Sequence, residues 1–248
     1  MAERLEDWLN GEVKELQKLP VGELSNTFFF RDPLRPNYID HEHFYSPADG
    51  TILYQKVVQP DESVVEIKGM NYTLKDVMGD SDYNKPSLVI GIFMSFYDVH
   101  INRIPYAGIL QYKGLDPIES TNKPMLAVEK DILNAAINPN NLEYLKYNER
   151  MLNKIYSPQL DYTYYLVQIA DEDVNVIAPF INDQNAPVSQ NERFSLIRWG
   201  SQVDLVLPLD ERYDFDLVLE DEMHVNAGLD KLVKINFRND PFQQHQRS

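Results

Sequence analysis

Ser87-Leu-Val-Ile-Gly-Ile-Phe-Met94 is an uncharged run of branched and aromatic side chains that follows Pro86. Such a run next to a breaker predicts a β-strand. Further runs of the same kind lie on either side of it. Thr51-Ile-Leu-Tyr54 and Ser63-Val-Val-Glu-Ile-Lys68 precede it, and Tyr162–Ile169, Phe194–Trp199 and Gln202–Leu207 follow it. Between the early strands, Thr73-Leu-Lys-Asp-Val-Met78 predicts a short helix that ends at Gly79. After the Pro139-Asn-Asn loop, Glu143 to Ile155 carries helical periodicity. At the start of the chain, Leu5, Trp8, Leu9, Val13 and Leu16 recur at helical spacing, so residues 4–19 predict one amphipathic helix stopped by Pro20. No repeat is visible, no Gly-, Pro- or Ser-rich linker divides the chain, and the polar tail after Asn239 is expected to fray. The expected fold is α+β: a β-rich single domain with an N-terminal helix and a few short helices.

Composition narrows the function. The chain has 248 residues, and its 23 Lys and Arg against 39 Asp and Glu leave a net charge of −16. A surface that acidic argues against nucleic acid as a partner and against simple electrostatic adhesion to anionic lipid. With no cysteine, disulfides, thiolate zinc sites, iron–sulfur clusters and a cysteine nucleophile are excluded. His41 and His43 are the one close histidine pair and have no evident third ligand, so no metal site is expected. No run is long and apolar enough to span a membrane, and the first residues do not read as a signal peptide. A cytoplasmic protein is expected, with at most peripheral contact at the membrane. The N-terminal helix carries four acids and three bases, so it has only its apolar stripe to offer a lipid surface. That stripe is expected to serve the core, leaving weak, transient membrane contact.

Three segments carry side chains with chemical potential. Ser46-Pro-Ala-Asp49-Gly50 fits a plain turn, and fits equally a carboxylate held to orient a histidine. Asp98-Val-His100-Ile-Asn102-Arg103-Ile-Pro105 follows the hydrophobic strand, where loops gather polar groups into pockets. His100 there is either a hydrogen-bonded structural histidine or a proton carrier. Gly200-Ser201, between two strand-like runs, fits a bulge. It also has the composition for internal peptide cleavage, since a small Gly leaves its carbonyl open to a Ser hydroxyl.

In this order the three segments resemble the phosphatidylserine decarboxylase family. Asn26-Thr-Phe-Phe-Phe-Arg31 is similar to the family's N-x-F-F-x-R, and the likeness continues through Arg35-Pro36, Pro47-Ala-Asp-Gly50 and Lys68-Gly-Met-Asn-Tyr-Thr-Leu74. Asp98-Val-His-Ile-Asn-Arg-Ile-Pro105 resembles D-V-H-V-N-R-x-P of the short-form members, and Asn148-Glu-Arg150 and Val167-Gln-Ile-Ala170 have short-form counterparts. Trp199-Gly-Ser-Gln-Val-Asp-Leu-Val-Leu-Pro208 resembles F-G-S-R-V-D-V-Y-L-P at the short-form processing site. The likeness runs from about residue 26 to residue 208.

The resemblance implies an N-terminal helical segment, 1–25, and a decarboxylase domain, 26–248, that cleaves itself between Gly200 and Ser201. Ser201 would become a pyruvoyl group, the cofactor, which forms a Schiff base with the substrate amine. His100 would move protons, Asp49 would fix that histidine's orientation and tautomer, and Asn102 and Arg103 would bind substrate. The implied substrate is phosphatidylserine, and the implied assembly a homo-oligomer of processed heterodimers. Two alternatives stand beside it: a decarboxylase of a free amino acid or other small amine-bearing acid, and an unprocessed, non-catalytic binding protein. The chain departs from the pattern at Arg103, where long forms carry a second histidine, and at Trp199 and Gln202. It departs again at Asp171-Glu-Asp173, an acidic run without the cations an anionic headgroup would need.

Overall fold

The Ser87–Met94 strand forms over the expected residues in the computed structural model, and every one of them is buried. The structure describes residues 1–36, 39–67, 69–115, 122–171, 176–198 and 200–238. Lys68, Trp199, the 172–175 stretch and the tail from Asn239 onward therefore lie outside the described residues. A nine-stranded antiparallel sheet organises the rest. Its order runs from Glu3–Arg4 at one edge through Met223–Val225, Gly50–Val58, Ser87–Met94, Ser201–Pro208, Tyr162–Ala170, Arg150–Ser157 and Gly108–Leu115 to Ala186–Val188.

Alternation along the central strands divides the apolar residues between two cores, one on each face. Leu88, Ile90, Ile92 and Met94 join Leu166, Val203, Leu205 and Leu207 on one face. Two three-stranded sheets cover that face, one built from Ile177–Pro179, Arg193–Ile197 and Ile101–Arg103, the other from Tyr213–Leu217, Lys231–Phe237 and His43–Tyr45. Val89, Phe93, Val167, Ile169 and Val206 face the other way. There they meet the N-terminal helix and the helices at Leu74–Met78 and Leu126–Leu133.

The short helix is fixed by local chemistry. Thr73 and Asp76 form a reciprocal capping box, and the helix closes at Gly79 with φ of 57°, the left-handed conformation that glycine adopts without strain. At the N-terminus, Leu5–Trp8 and Lys14–Leu16 are α-helical on either side of a wider π-helical turn, Leu9–Val13. That i→i+5 turn sets Trp8 and Val13 on one face, and both are buried in the protein core with Leu5. This helix ends at Leu16, short of residue 19, and helical turns resume beyond Pro20 at Val21–Glu23 and Leu24–Phe28. The apolar stripe thus packs on the protein, and no helix among the described residues is long and apolar enough to cross a membrane.

The helical periodicity at 143–155 is misleading. Only Tyr144–Tyr147 is helical, and Arg150–Ser157 is a strand paired on both sides, with Tyr162–Ala170 and with Gly108–Leu115. Two ladders of backbone hydrogen bonds outweigh a local preference worth a few tenths of a kcal/mol per residue. Asn148 marks the switch, its amide donating to the carbonyls of Lys123 and Ala170 at 2.8 and 2.7 Å.

A buried polar network crosses the second core. The Tyr54 hydroxyl donates to Asp204 at 3.0 Å, and the Gln202 amide donates to Tyr54 at 2.8 Å and to Asp204 at 2.5 Å. The Tyr54 ring lies flat against Gly91, where a Cβ would fall 2.4 Å from the ring. Gly91→Ala is therefore expected to destabilise the fold by ~1–3 kcal/mol through overpacking. Urea denaturation checks this, and an unchanged midpoint would contradict the packing.

Candidate active site

Antiparallel register brings several chain segments level at one end of the sheet. Met94, the last residue of its strand, pairs with Ser201, the first of the next, and Ser201 pairs with Ala170. On the adjoining side Phe93 pairs with Thr51, and Thr51 with His224. Asp49-Gly50 leads into this end, Ser95–Arg103 leads out of it, and Gly200 comes immediately before Ser201.

Ser201 is fully buried, and its hydroxyl lies 3.5 Å from the Met94 sulfur, a weak acceptor. The Asn102 amide reaches the same sulfur at 3.5 Å, while its carbonyl oxygen accepts from Gln168 at 2.7 Å. A Cβ on Gly200 would fall 2.9 Å from the Asp171 carboxylate, which itself accepts from the Met125 backbone N–H at 2.9 Å. Any side chain at position 200 would have to push that carboxylate away.

His100 is fully buried. Its Nδ1 lies 3.0 Å from the carbonyl oxygen of Asp98. A carbonyl only accepts, so Nδ1 carries the proton and Nε2 bears the lone pair. Among the described residues Nε2 is buried without a hydrogen-bond partner, with the Met94 backbone beside the ring, and the Phe29 ring stacks on the imidazole at 3.7 Å. Burial pushes the pKa of His100 down to about 4, against the pull of Asp98. The histidine is accordingly neutral at physiological pH and holds an unused proton-accepting nitrogen.

The other sequence candidates fall into different places. Asp49 does not touch His100: both its oxygens take the Arg35 guanidinium at 2.6 Å, and one also accepts from the Ala227 N–H at 2.7 Å. The imidazole of His100 is oriented by Asp98 instead. Arg103 donates to the Asn191 carbonyl at 2.9 Å and lies 3.5 Å from Asp32, away from the Ser201 hydroxyl's contacts. Ser201, Asn102 and His100 thus meet around Met94, while Asp49 and Arg103 belong to an arginine-lined region beside it.

Two buried groups escaped the sequence reading. His224 Nε2 lies 2.7 Å from the Asp98 carboxylate, both residues are buried, and Trp8 stacks on the imidazole at 4.1 Å. Asp98 therefore holds one histidine by its side chain and another by its carbonyl, and its second oxygen accepts from the Ser95 N–H and hydroxyl at 2.7 Å. The one sequence signal was a histidine flanked by apolar residues, Met223-His-Val225, in a strand. Glu129 sits buried over the same loop, with the Phe96 N–H 3.4 Å from its carboxyl. Burial, reinforced by the negative charge of Asp98, pushes its pKa up to about 8.

A sequence model of the phosphatidylserine decarboxylase family matches residues 25–231. The chain is similar to two proteins named phosphatidylserine decarboxylase proenzyme, from Novosphingobium aromaticivorans and Erythrobacter litoralis. It is 34% identical to them over 188 and 184 residues, and each match covers 73% of this chain and 62% of the relative. A third protein of that name, from Cytophaga hutchinsonii, is 27% identical over 191 residues, covering 76% of this chain and 69% of the relative. The chain thus spans somewhat less than two thirds of the length of the first two relatives.

The buried charges make stability depend on pH. Burial acts to lower the pKa of His224, but the charge and hydrogen bond of Asp98 outweigh it and hold the value above 6.5. The pair's contribution is complete below pH 6.5 and is lost as pH rises through the higher folded value. Asp98 is held below its ordinary 3.8 because the charge and hydrogen bonds of His224 and Ser95 outweigh burial, so its contribution is lost only as pH falls through that lower value. Glu129 adds a penalty that grows between its ordinary 4.5 and about 8. Urea midpoints measured from pH 5 to 9 should therefore fall on the alkaline side. Glu129→Gln should flatten that fall and exceed the wild type at pH 9, and His224→Gln should be weaker near pH 5 with the gap closing at high pH. Profiles parallel to the wild type would refute both assignments.

Proposed function

The chain belongs to the phosphatidylserine decarboxylase family, and on that premise we propose that it is a self-processing, pyruvoyl-dependent carboxy-lyase that converts phosphatidylserine to phosphatidylethanolamine. The observation that carries this reading is the buried Gly200-Ser201 junction, whose hydroxyl has only a soft sulfur for a partner among the described residues and which shares Met94 with a neutral histidine.

Processing proceeds on the chain's own groups. The Ser201 hydroxyl attacks the Gly200 carbonyl, its proton passes to a base, and the C–N bond breaks so that the peptide becomes an ester. His100 Nε2 is the proposed base, since it is a buried nitrogen without a hydrogen-bond partner among the described residues, on an imidazole that burial keeps neutral. Loss of the serine α-proton then expels the Gly200 carboxylate, which keeps the former serine oxygen. The dehydroalanine that remains takes up water and releases ammonia, giving a pyruvoyl terminus at position 201. The residues present fit such a group: position 201 is enclosed, and Asn102 and Met94 line its side of the sheet. A pyruvoyl carbonyl supplies an electron sink for an amine-linked carboxylate that loses carbon dioxide. His100 Nε2 would take the proton that the substrate ammonium gives up on being linked and return it to the α-carbon, and its low pKa makes the protonated form a strong acid.

Low dielectric surroundings assist the decarboxylation, because a carboxylate losing its charge as carbon dioxide is favoured away from water. Carbon dioxide release from phosphatidylserine vesicles tests the reading. Wild-type protein should release it, Ser201→Ala should stay one chain with no activity, and His100→Ala should lose ~10²–10⁴-fold in rate. A wild type inert toward phosphatidylserine, or an active Ser201→Ala, would overturn the proposal.

A further inference from the structure

Beside the site, a cleft of about 770 Å³ opens between Asp32–Arg35 with Ile39 on one side and the turn at Ser189–Arg193 on the other. Three arginines, Arg35, Arg103 and Arg193, converge on it, in a chain that carries sixteen excess negative charges. Arg35 is spent on Asp49, which it grips with both nitrogens. Arg103 and Arg193 share a single carboxylate, Asp32, which is one-third exposed. Glu192 also lines the cleft, but its carboxylate is engaged by the Ser189 N–H at 2.7 Å, inside the turn. Two forked cations facing one shared loop carboxylate form a geometry that a tetrahedral anion with several acceptor oxygens can also satisfy.

Asn191 is the second, independent observation. It is fully buried on the cleft wall, and neither its Nδ2 nor its Oδ1 has a hydrogen-bond partner among the described residues. A buried amide with both ends unmet is costly unless something completes it. On the outer side, Leu34 and Ile39 stand exposed on the same segment, so the polar floor has an apolar rim. The cleft also connects to the reacting end of the sheet. The Arg103 N–H donates to Pro47 at 2.8 Å, and its neighbour Asn102 shares the Met94 sulfur with Ser201.

We infer that this cleft is the phosphodiester subsite: Arg103 and Arg193 take the phosphate in place of Asp32, Asn191 completes its hydrogen bonds on the headgroup, and Leu34 and Ile39 meet the apolar part of an amphiphile. The inference rests on the reading of the chain as a phospholipid decarboxylase. It places the cations for the headgroup on two separate segments, far in sequence from the acidic run at 171–173. It also gives Asp32 a definite sign, because a carboxylate that occupies the anion's place competes with it.

Calorimetric titration of the purified full chain tests this with glycerophosphoethanolamine, which keeps the phosphodiester and has no carboxylate to lose. Ethanolamine and inorganic phosphate serve as the other probes. Glycerophosphoethanolamine should bind at least about tenfold more tightly than either. Arg193→Ala, at a half-exposed position whose loss the fold tolerates, should weaken it about tenfold and leave ethanolamine unchanged. Asp32→Asn should tighten it. Equal binding of ethanolamine, equal binding of inorganic phosphate, indifference to Arg193→Ala, or weakening by Asp32→Asn would each overturn the subsite. Chain cleavage and carbon dioxide release, followed in the same preparations, report on the enzyme itself, so the subsite can fail while the decarboxylase reading stands.

Discussion

Eight successive cross-strand pairs, from Ser201 opposite Met94 to Pro208 opposite Ser87, set the register on which this architecture depends. In a pleated sheet a slip of one residue would turn every side chain to the other face. Ser201 would leave Met94 and Asn102, and Asp204 would leave the tyrosine and glutamine that satisfy it in the opposite core. Because both faces of the sheet are covered, neither side tolerates that exchange. The same strand therefore fixes the Ser201 hydroxyl on one face and anchors a polar network on the other.

Around this end of the sheet, charge is handled by pairing or by neutralisation. Asp98 stays ionised because it has a histidine and two donors from Ser95, whereas Glu129, with one long contact, is pushed toward its protonated form. His100 is kept neutral by burial, which outweighs the pull of Asp98 and of the backbone beside its ring. Three buried titratable groups within one loop's reach thus take three different states, each set by the partners supplied. The N-terminal segment belongs to this arrangement, since Trp8 and Phe29 cover the two imidazoles that Asp98 holds. A helix employed in this way has little apolar surface left for a membrane.

Much of the fold was legible because its signals were local. The uncharged run at 87–94, the capping pair Thr73 and Asp76, and the alternating stretches at 162–170 and 201–208 each carry their structure within a few residues. Arg150–Ser157 was misread because its strand character comes from neighbours on both sides, not from its own periodicity. At the candidate site, Gly200, Ser201, His100 and Asn102 stand out by motif, but the partners the structure gives them do not. Asp49 looked like the orienting acid for His100, yet it binds Arg35, while the bond that orients His100 comes from a main-chain oxygen, which sequence cannot flag. His224 stands 126 residues from the aspartate it pairs with, and the arginine-lined cleft is assembled from positions 35, 103 and 193. Such juxtapositions exist only once the sheet has closed.

Intact mass spectrometry of the purified wild-type chain tests the central claim most directly, because the account makes the Gly200-Ser201 junction a reactive bond. It predicts two polypeptides, 1–200 ending in an ordinary carboxylate and 201–248 lighter than its serine-initiated form by one ammonia. A single polypeptide of full mass after prolonged incubation would contradict it.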